Sequence, residues 1–186
     1  MAVQMECLLM CSFKAIRRLL LALSLPLLAM PCWADDGFDA EFEQKPWAEV
    51  EVQLPAFPEA ENLIPFRVGY HTDTKYLIDG NSLSLGADGV IRYTLLVISA
   101  SGARNVSYEG LRCATAERRV YAFGRSDKTW SKARGNQWAR VQGSTNNHYV
   151  DLYSNYFCIV GAPDVRDADD IRRVLRSGGR LPDTAS

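Results

Sequence analysis

The chain has 186 residues, of which 47% are hydrophobic and 23% are charged. This length suits one domain, and the composition excludes a collagen-like or wholly disordered chain. A formal net charge of −1 gives no overall basicity that would point to nucleic acid.

Residues 1–34 are predicted to be a cleaved secretory signal peptide. A basic segment that ends at Arg18 precedes an apolar run over residues 19–30, and small side chains lead to a cleavage site after Ala34. The run is shorter than the roughly 20 residues that a transmembrane helix needs, so no transmembrane segment is expected after signal removal. We therefore expect the protein in the periplasm.

A lipoprotein is the alternative for this segment, with Cys32 as the lipidated residue. Lipidation needs a small residue directly before the cysteine, whereas Pro31 stands there, so the cleaved signal is favoured. Residues 35–44 then form a flexible acidic linker, residues 45–178 a single globular domain and residues 179–186 a C-terminal tail.

Signal removal leaves two of the five cysteines, Cys113 and Cys158. A single pair in an exported chain has one connectivity, and an oxidising compartment favours the bond. A redox pair usually has C-x-x-C spacing, which is absent. A zinc site needs three or four ligands, and the chain after residue 34 adds only His71 and His148. We therefore predict a structural disulfide and no metal or cofactor.

The first half of the domain shows the period of two that half-buried strands produce. Residues 49–54 are expected to form a strand, and three prolines then make residues 55–65 an extended arm over the surface. Short strands are expected at residues 66–70, 76–79 and 82–85, with a turn at residues 79–81 between the last two.

Residues 90–99 form the strongest predicted strand, and both of its faces become apolar, as in a strand in the middle of a sheet. In residues 105–113 the apolar side chains change from even to odd positions, which a β-bulge near Glu109 and Gly110 would explain. Residues 119–124 are the expected return strand.

Two helices are expected near the C-terminus. Large apolar side chains recur at helical spacing over residues 146–157, although the aromatic content also suits a strand. Residues 167–177 carry acidic side chains in the first turn and arginines later, with Gly178 directly after, as in a short helix. The predicted fold class is α+β: a single domain with one antiparallel sheet of about five or six strands and one or two C-terminal helices packed on it.

Several short segments match one family of proteins. They are Trp-Ala-Glu at 47–49, Leu-Pro-Ala-Phe-Pro at 54–58, Asp-Gly-Val-Ile-Arg-Tyr at 88–93 and, most specifically, Asn-Val-Ser-Tyr-Glu-Gly-Leu-Arg-Cys at 105–113. Over residues 45–160 the chain resembles the cryptic neisserial protein one-like family of exported proteobacterial proteins. The resemblance implies an exported single domain, and it implies no activity, substrate or catalytic residue.

Charge is segregated along the chain. Residues 35–62 carry nine acidic side chains and one basic side chain, whereas residues 92–140 carry ten basic side chains and three acidic ones. Such segments can be solvated faces, they can lie against each other, or the basic segment can meet an anionic partner.

The basic segment contains two sets of candidate binding residues. The first is a polar cluster that the sheet would bring together: Arg92, Tyr108, Glu109 and Arg112. The second interleaves bases with tryptophans: Lys128, Trp130, Lys132, Arg134 and Trp138. The structural alternatives are an ion pair across the sheet for the first set, and core anchors with solvated bases around them for the second.

The sequence contains no serine elbow, phosphate loop, dinucleotide fingerprint or zinc-protease motif. We therefore predict a periplasmic domain that binds an envelope protein or an anionic polymer through a basic, tryptophan-containing face. No nucleic acid and no catalytic residue are expected. The alternative is a hydrolase-type enzyme centred on Glu109 and Arg112 with a histidine.

Overall fold

A seven-stranded antiparallel sheet organises the protein. The computed structural model describes residues 46–69, 72–143 and 148–180, which belong to one compact unit. Six strands follow each other across the sheet in chain order: β1 Leu63–Phe66, β2 Lys75–Leu85, β3 Val90–Ile98, β4 Arg104–Arg112, β5 Glu117–Gly124 and β6 Trp130–Lys132. A seventh strand, β7 Ala139–Arg140, pairs with the other end of β5. The predicted signal peptide and linker, and residues 181–186 of the predicted tail, lie outside the described residues.

The C-terminal part of the chain is mainly helical. Helix α1 (His148–Asp151) continues as a π-helical turn (Leu152–Phe157), and the hairpin of β8 (Cys158–Ile159) and β9 (Ala162–Pro163) leads to α2 (Ala168–Arg176). Residues 148–157 are thus helical and not a strand. Within the described ranges, no helix is both long and apolar enough to cross a lipid bilayer.

The two helices pack on one face of the sheet and enclose the apolar core with it. Their buried contributions are Leu152, Tyr156, Phe157, Ile171 and Leu175. Helix α2 begins where the sequence predicts, since Asp167 accepts a hydrogen bond at 2.8 Å from the backbone N–H of Asp170. The expected α+β fold, with an antiparallel sheet and two C-terminal helices, is confirmed.

Strand β3 lies in the middle of the sheet and is buried on both faces, as its sequence predicts. Its odd-numbered residues, such as Tyr93, belong to the core under the helices. Its even-numbered residues, such as Arg92, point to the opposite face because side chains alternate along a strand. Residues 46–59, called the arm from here on, cross this second face.

Residues 49–54 do not form the expected strand, because they pair with no other strand of the described chain. Glu49, Val52 and Pro55 are half-buried, while the residues between them are exposed. A repeat of three is the period of a polyproline-type extended segment, and a strand repeats every two residues. The alternation of apolar residues was misleading because Glu49 faces the sheet, whereas Val50 and Leu54 are exposed.

The first strands also differ from the prediction. The strand expected at residues 66–70 lies earlier, in β1, which tolerates Pro65 because it is an edge strand. The strands expected at residues 76–79 and 82–85 are one strand, β2, and the expected turn is an irregularity in its pairing with β3. At this irregularity the Ser82 hydroxyl accepts a hydrogen bond from the backbone N–H of Thr94 at 2.8 Å. This bond connects β2 to β3 where their regular pairing is interrupted, so β2 continues in the same direction.

The predicted bulge lies in β5 and not in β4. Strands β3 and β4 pair without interruption over their whole length. On the other side of β4, the partners of Tyr108 and Glu109 are Ala122 and Val120, which leaves Tyr121 as the extra residue. The inserted residue therefore belongs to the neighbouring strand.

Gly110 accommodates this bulge. A Cβ atom at this position would lie 2.4 Å from the hydroxyl of Tyr121, so a glycine is needed for the ring to cross β4. The change of parity along β4 has a different cause. Both faces of the strand are covered, so Tyr108 is buried on one face and Leu111 on the other.

The predicted disulfide between Cys113 and Cys158 is present, with Cα atoms 5.5 Å apart. It joins the segment after β4 to the end of the π-helical turn. The bond therefore ties the helical layer to the middle of the sheet.

Replacing both cysteines with alanine is expected to lower the free energy of unfolding by about 4 kcal/mol, because the bond closes a loop with a sequence separation of 45 residues. Urea unfolding of the oxidised protein and of the double variant measures the difference. A loss below about 1 kcal/mol would contradict a stabilising role for the disulfide.

Candidate functional site

The carboxylate of Glu49 lies at the centre of the contact between the arm and the sheet. Tyr121 donates its O–H to this carboxylate at 2.6 Å, and Arg119 forms an ion pair with it. Arg92 approaches it at 3.6 Å, and the indole N–H of Trp138 donates to it at 3.4 Å. One side chain of the arm is thus bound from β3, from β5 and from the segment before β7.

Asp88, in the turn before β3, holds the arm from a second direction. It accepts hydrogen bonds from Arg92 at 2.6 and 3.2 Å and from the backbone N–H of Val50 at 2.9 Å. Burial opposes ionisation of Asp88, but the hydrogen bonds from Arg92, Val50 and Val90 outweigh it and hold the pKa of this carboxyl below its usual value. Its ionisation therefore stabilises the fold above the ordinary pKa, and this contribution is lost as the pH falls through the lowered pKa.

Trp47 fixes the start of the arm. Its indole N–H donates to the backbone carbonyl of Asp88 at 2.9 Å. The guanidinium of Arg112 lies over its ring, 3.8 Å from the ring centroid, and Trp138 meets it edge-on at 6.0 Å. A cation over an aromatic face is attracted to the ring, so Trp47 takes up a third arginine of the basic segment.

Trp130 fixes the end of the arm. Its indole N–H donates to the backbone carbonyl of Pro55 at 2.9 Å, and its ring packs on Phe57 at a centroid distance of 5.3 Å. Trp130 and Trp138 are both half-buried and both use their N–H groups on the arm. The acidic arm therefore lies against part of the basic segment.

The polar cluster predicted around β4 is divided between the two faces of the sheet. Arg92 lies opposite Gly110, so Tyr108 and Arg112, two positions away on either side, share its face. Glu109 lies opposite Tyr93 and points toward the helices. The structure therefore does not bring Glu109 and Arg112 together.

Glu109 is a buried core acid with 1% of its surface exposed. Three hydroxyl groups surround its carboxyl group, those of Ser107 at 2.5 Å, Tyr149 at 3.2 Å and Tyr93 at 3.4 Å. Burial raises its pKa in spite of these hydrogen bonds, because the charged form loses its hydration.

The described residues provide no histidine poised to exchange a proton with Glu109. His71 lies outside them. His148 stacks on Tyr76 and Tyr149 at centroid distances of 4.8 and 4.0 Å, and its buried Nε2 has no hydrogen-bond partner. Burial and the nearby charge of Arg118 lower the pKa of His148 to about 4, so its imidazole is neutral at neutral pH. No group of three or more potential metal ligands occurs in this part of the chain either.

Six cations of the basic segment remain exposed, and none of them forms an ion pair within the described residues. They are Arg104, Arg125, Lys128, Lys132, Arg134 and Arg140. The first three line a cleft of about 600 Å³ between the end of the arm and the turn that joins β5 to β6. The predicted residues Lys128, Lys132 and Arg134 are therefore accessible, whereas Arg92 and Arg112 are bound by the arm.

Four residues hold the arm on the sheet through hydrogen bonds and ion pairs, and the sequence alone does not identify them. They are Glu49, Asp88, Arg119 and Tyr121. The segregated charge does indicate that the acidic segment could lie on the basic one. Nine acidic side chains are available for that contact, however, and only the register of the sheet shows which of them reaches which arginine.

A sequence profile of the CNP1-like family matches residues 42–176. The chain belongs to the CNP1-like family. This confirms the resemblance seen in residues 105–113, and the matched range contains the arm, the sheet and α2. No curated protein and no solved structure is significantly similar to this CNP1-like chain. Membership brings no activity, ligand or site residue with it, so its function has to be argued from the geometry.

Replacing Glu49 with glutamine is expected to lower the free energy of unfolding by about 1–3 kcal/mol, because Arg119 loses its carboxylate partner. Glu51→Gln is the matched control. Glu51 is exposed and forms no ion pair with the described residues, so its loss should change the free energy by less than about 0.5 kcal/mol. Chemical unfolding of both variants provides the comparison, and equal effects would show that Glu49 does not anchor the arm.

Proposed function

We propose that the protein is an exported, non-enzymatic domain of the periplasm that binds an anionic component of the cell envelope. The ligand lies on the exposed cations of the basic segment, and the arm remains in place during binding. The proposal combines the predicted signal peptide with the distribution of charge on the folded domain.

The observation that carries the proposal is the division of the ten basic side chains of this segment. Three are bound on the arm side of the sheet, six are exposed, and Arg118 lies over the ring of Tyr149. Arg92, Arg112 and Arg119 are taken up by the arm and by Asp88. None of the six exposed cations forms an ion pair within the described residues. The guanidinium of Arg125 donates to the neutral hydroxyl of Ser131, and Asp127 lies close enough to interact with its charge. Two carboxylates and the Trp47 ring thus occupy the three central arginines, whereas the six peripheral cations remain exposed.

This arrangement of exposed cations favours an anionic ligand over a neutral one. Like charges on one small surface repel each other, and an anionic ligand relieves this repulsion and is also attracted over a Debye length of about 8 Å. The chain as a whole is slightly acidic, so the attraction is confined to one region of the surface. The ligand is therefore oriented as well as attracted.

No observation favours the hydrolase alternative. Its proposed centre is divided, because Glu109 lies in the core and Arg112 stacks on Trp47 on the other side of the sheet. A general base has to lie within hydrogen-bond reach of a substrate, and Glu109 is closed off by three hydroxyl groups.

The charge dependence of binding tests the proposal. Two probes are suitable, phosphatidylglycerol vesicles and the soluble polyanion dextran sulfate, and affinity for at least one should fall steeply between low and physiological salt. The double variant Lys128→Glu and Arg134→Glu should weaken binding at least tenfold, since each cation near an anionic surface contributes about 1 kcal/mol.

The matched control for this variant reverses two exposed cations elsewhere on the domain, Arg67→Glu and Lys75→Glu. It makes the same change in net charge and should weaken binding by less than about threefold. Equal losses in both variants would show that only net charge matters. Binding of neither probe at low salt would contradict the proposed function.

Export is tested by fractionation and intact mass. The protein is expected in the periplasmic fraction with Asp35 as its first residue, because signal cleavage should follow Ala34. An acylated Cys32 would establish the lipoprotein alternative, and a full-length chain confined to the cytoplasm would contradict export altogether.

A further inference from the structure

The cleft beside the β5–β6 turn combines an apolar floor with a charged rim. Its volume of about 600 Å³ lies within the range of small-molecule sites. Phe57, Leu63, Leu96 and Val106 line its floor. Leu96 is fully buried there, and the other three side chains are half-buried, so apolar surface remains available to a ligand.

Gly124 shapes this floor. A Cβ atom at this position would lie 2.8 Å from both Phe57 and Val106. These two side chains can therefore pack against residue 124 only because it is a glycine. Phe57 is held in turn by its contact with Trp130. The contacts that fasten the end of the arm therefore also build the cleft.

The rim of the cleft carries charges of both signs. Arg104 comes from β4, and Arg125 and Lys128 come from the β5–β6 turn, whereas Glu59 ends the arm and Glu61 follows it. Asp127, in the same turn as Lys128, accepts hydrogen bonds from Thr129 and does not line the cleft. Arg104, Arg125 and Lys128 outnumber Asp127 on this side of the cleft, whereas the two glutamates disfavour an anion beside them.

Lys128 occupies a backbone position that favours glycine. Its φ is 62°, in the left-handed region, and the tight turn around it is closed by hydrogen bonds from Arg125 N–H to Thr129 and from Lys128 N–H to Arg125. A lysine costs more than a glycine in this conformation. The closed turn therefore fixes the backbone of Lys128 beside the cleft.

From this arrangement we infer that the cleft binds a single-chain anionic amphiphile, with its phosphate head on Arg104, Arg125 and Lys128 and its acyl stem on the apolar floor. The three cations match a head that offers several acceptor oxygens. The glutamates orient the head toward the turn. This inference rests on the proposed function and names the chemical class of the ligand.

Isothermal calorimetry with the purified protein tests the ligand class, using alkyl phosphates below their micellar concentrations. Dodecyl phosphate should bind, and octyl phosphate should bind about fourfold more weakly for each methylene that no longer reaches the floor. Inorganic phosphate, which has the head only, and dodecyl maltoside, which has the tail and no charge, should both bind at least tenfold more weakly than dodecyl phosphate. Equal binding of either control would overturn the inference.

Lys128→Gly separates the binding role from a structural one. Glycine relieves the left-handed backbone, so the thermal midpoint should stay the same or rise, while affinity for dodecyl phosphate should fall at least threefold. Lys75→Gln removes an exposed cation that lies outside the basic segment and does not line this cleft, so it should leave the affinity unchanged. Equal affinities of Lys128→Gly and the unchanged protein would overturn the placement of the head.

Val106→Phe tests the placement of the stem by filling the floor. It should abolish the difference between dodecyl and octyl phosphate and leave the salt-dependent binding to anionic vesicles or dextran sulfate in place. If those probes bind and no alkyl phosphate does, the amphiphile site is refuted and the proposed function stands. If alkyl phosphates bind and the other two probes do not, the cleft stands and binding of an extended anionic component is refuted.

Discussion

The carboxylate of Glu49 controls how the second face of the sheet is closed. The helices cover the first face with an ordinary apolar core, but two of the arm's aliphatic side chains, Val50 and Leu54, remain 47% exposed. Charged groups therefore place the middle of the arm, between the two ends that Trp47 and Trp130 fix. A partly buried ion cluster gains little over apolar packing, yet it selects one geometry, because a shifted arm would leave arginines without their carboxylates.

Elements that depend on local sequence could be predicted, whereas those that depend on contacts between distant residues, such as the arm, could not. The apolar run of β3 and the charge pattern of α2 are local signals, and both elements form where they were expected. The strand predicted at residues 49–54 is absent because an alternating pattern gives a strand only where another strand pairs with it. The bulge was predicted in the wrong strand because a change of parity in β4 has two explanations, a bulge in β4 itself or burial of both its faces. The choice depends on Tyr121 of the neighbouring strand.

The site shows the same division between local and long-range information. The sequence identifies the basic segment and its tryptophans, and Lys128, Lys132 and Arg134 are exposed in the structure. It does not show that Glu49 reaches Arg119 across 70 residues of chain. The arm thereby divides the basic segment into a centre whose arginines are bound and a rim whose cations are exposed, and this division is the physical basis of the proposed anion binding.

Whether charge places the arm is tested most directly by a double-mutant cycle in unfolding free energy, with Glu49→Gln, Arg119→Gln and the combination. Mutations in a direct, partly buried ion pair are not additive, so the cycle should give a coupling energy of about 1 kcal/mol or more. Effects that add within about 0.3 kcal/mol would contradict the account, because they would show that the arm is held without this contact.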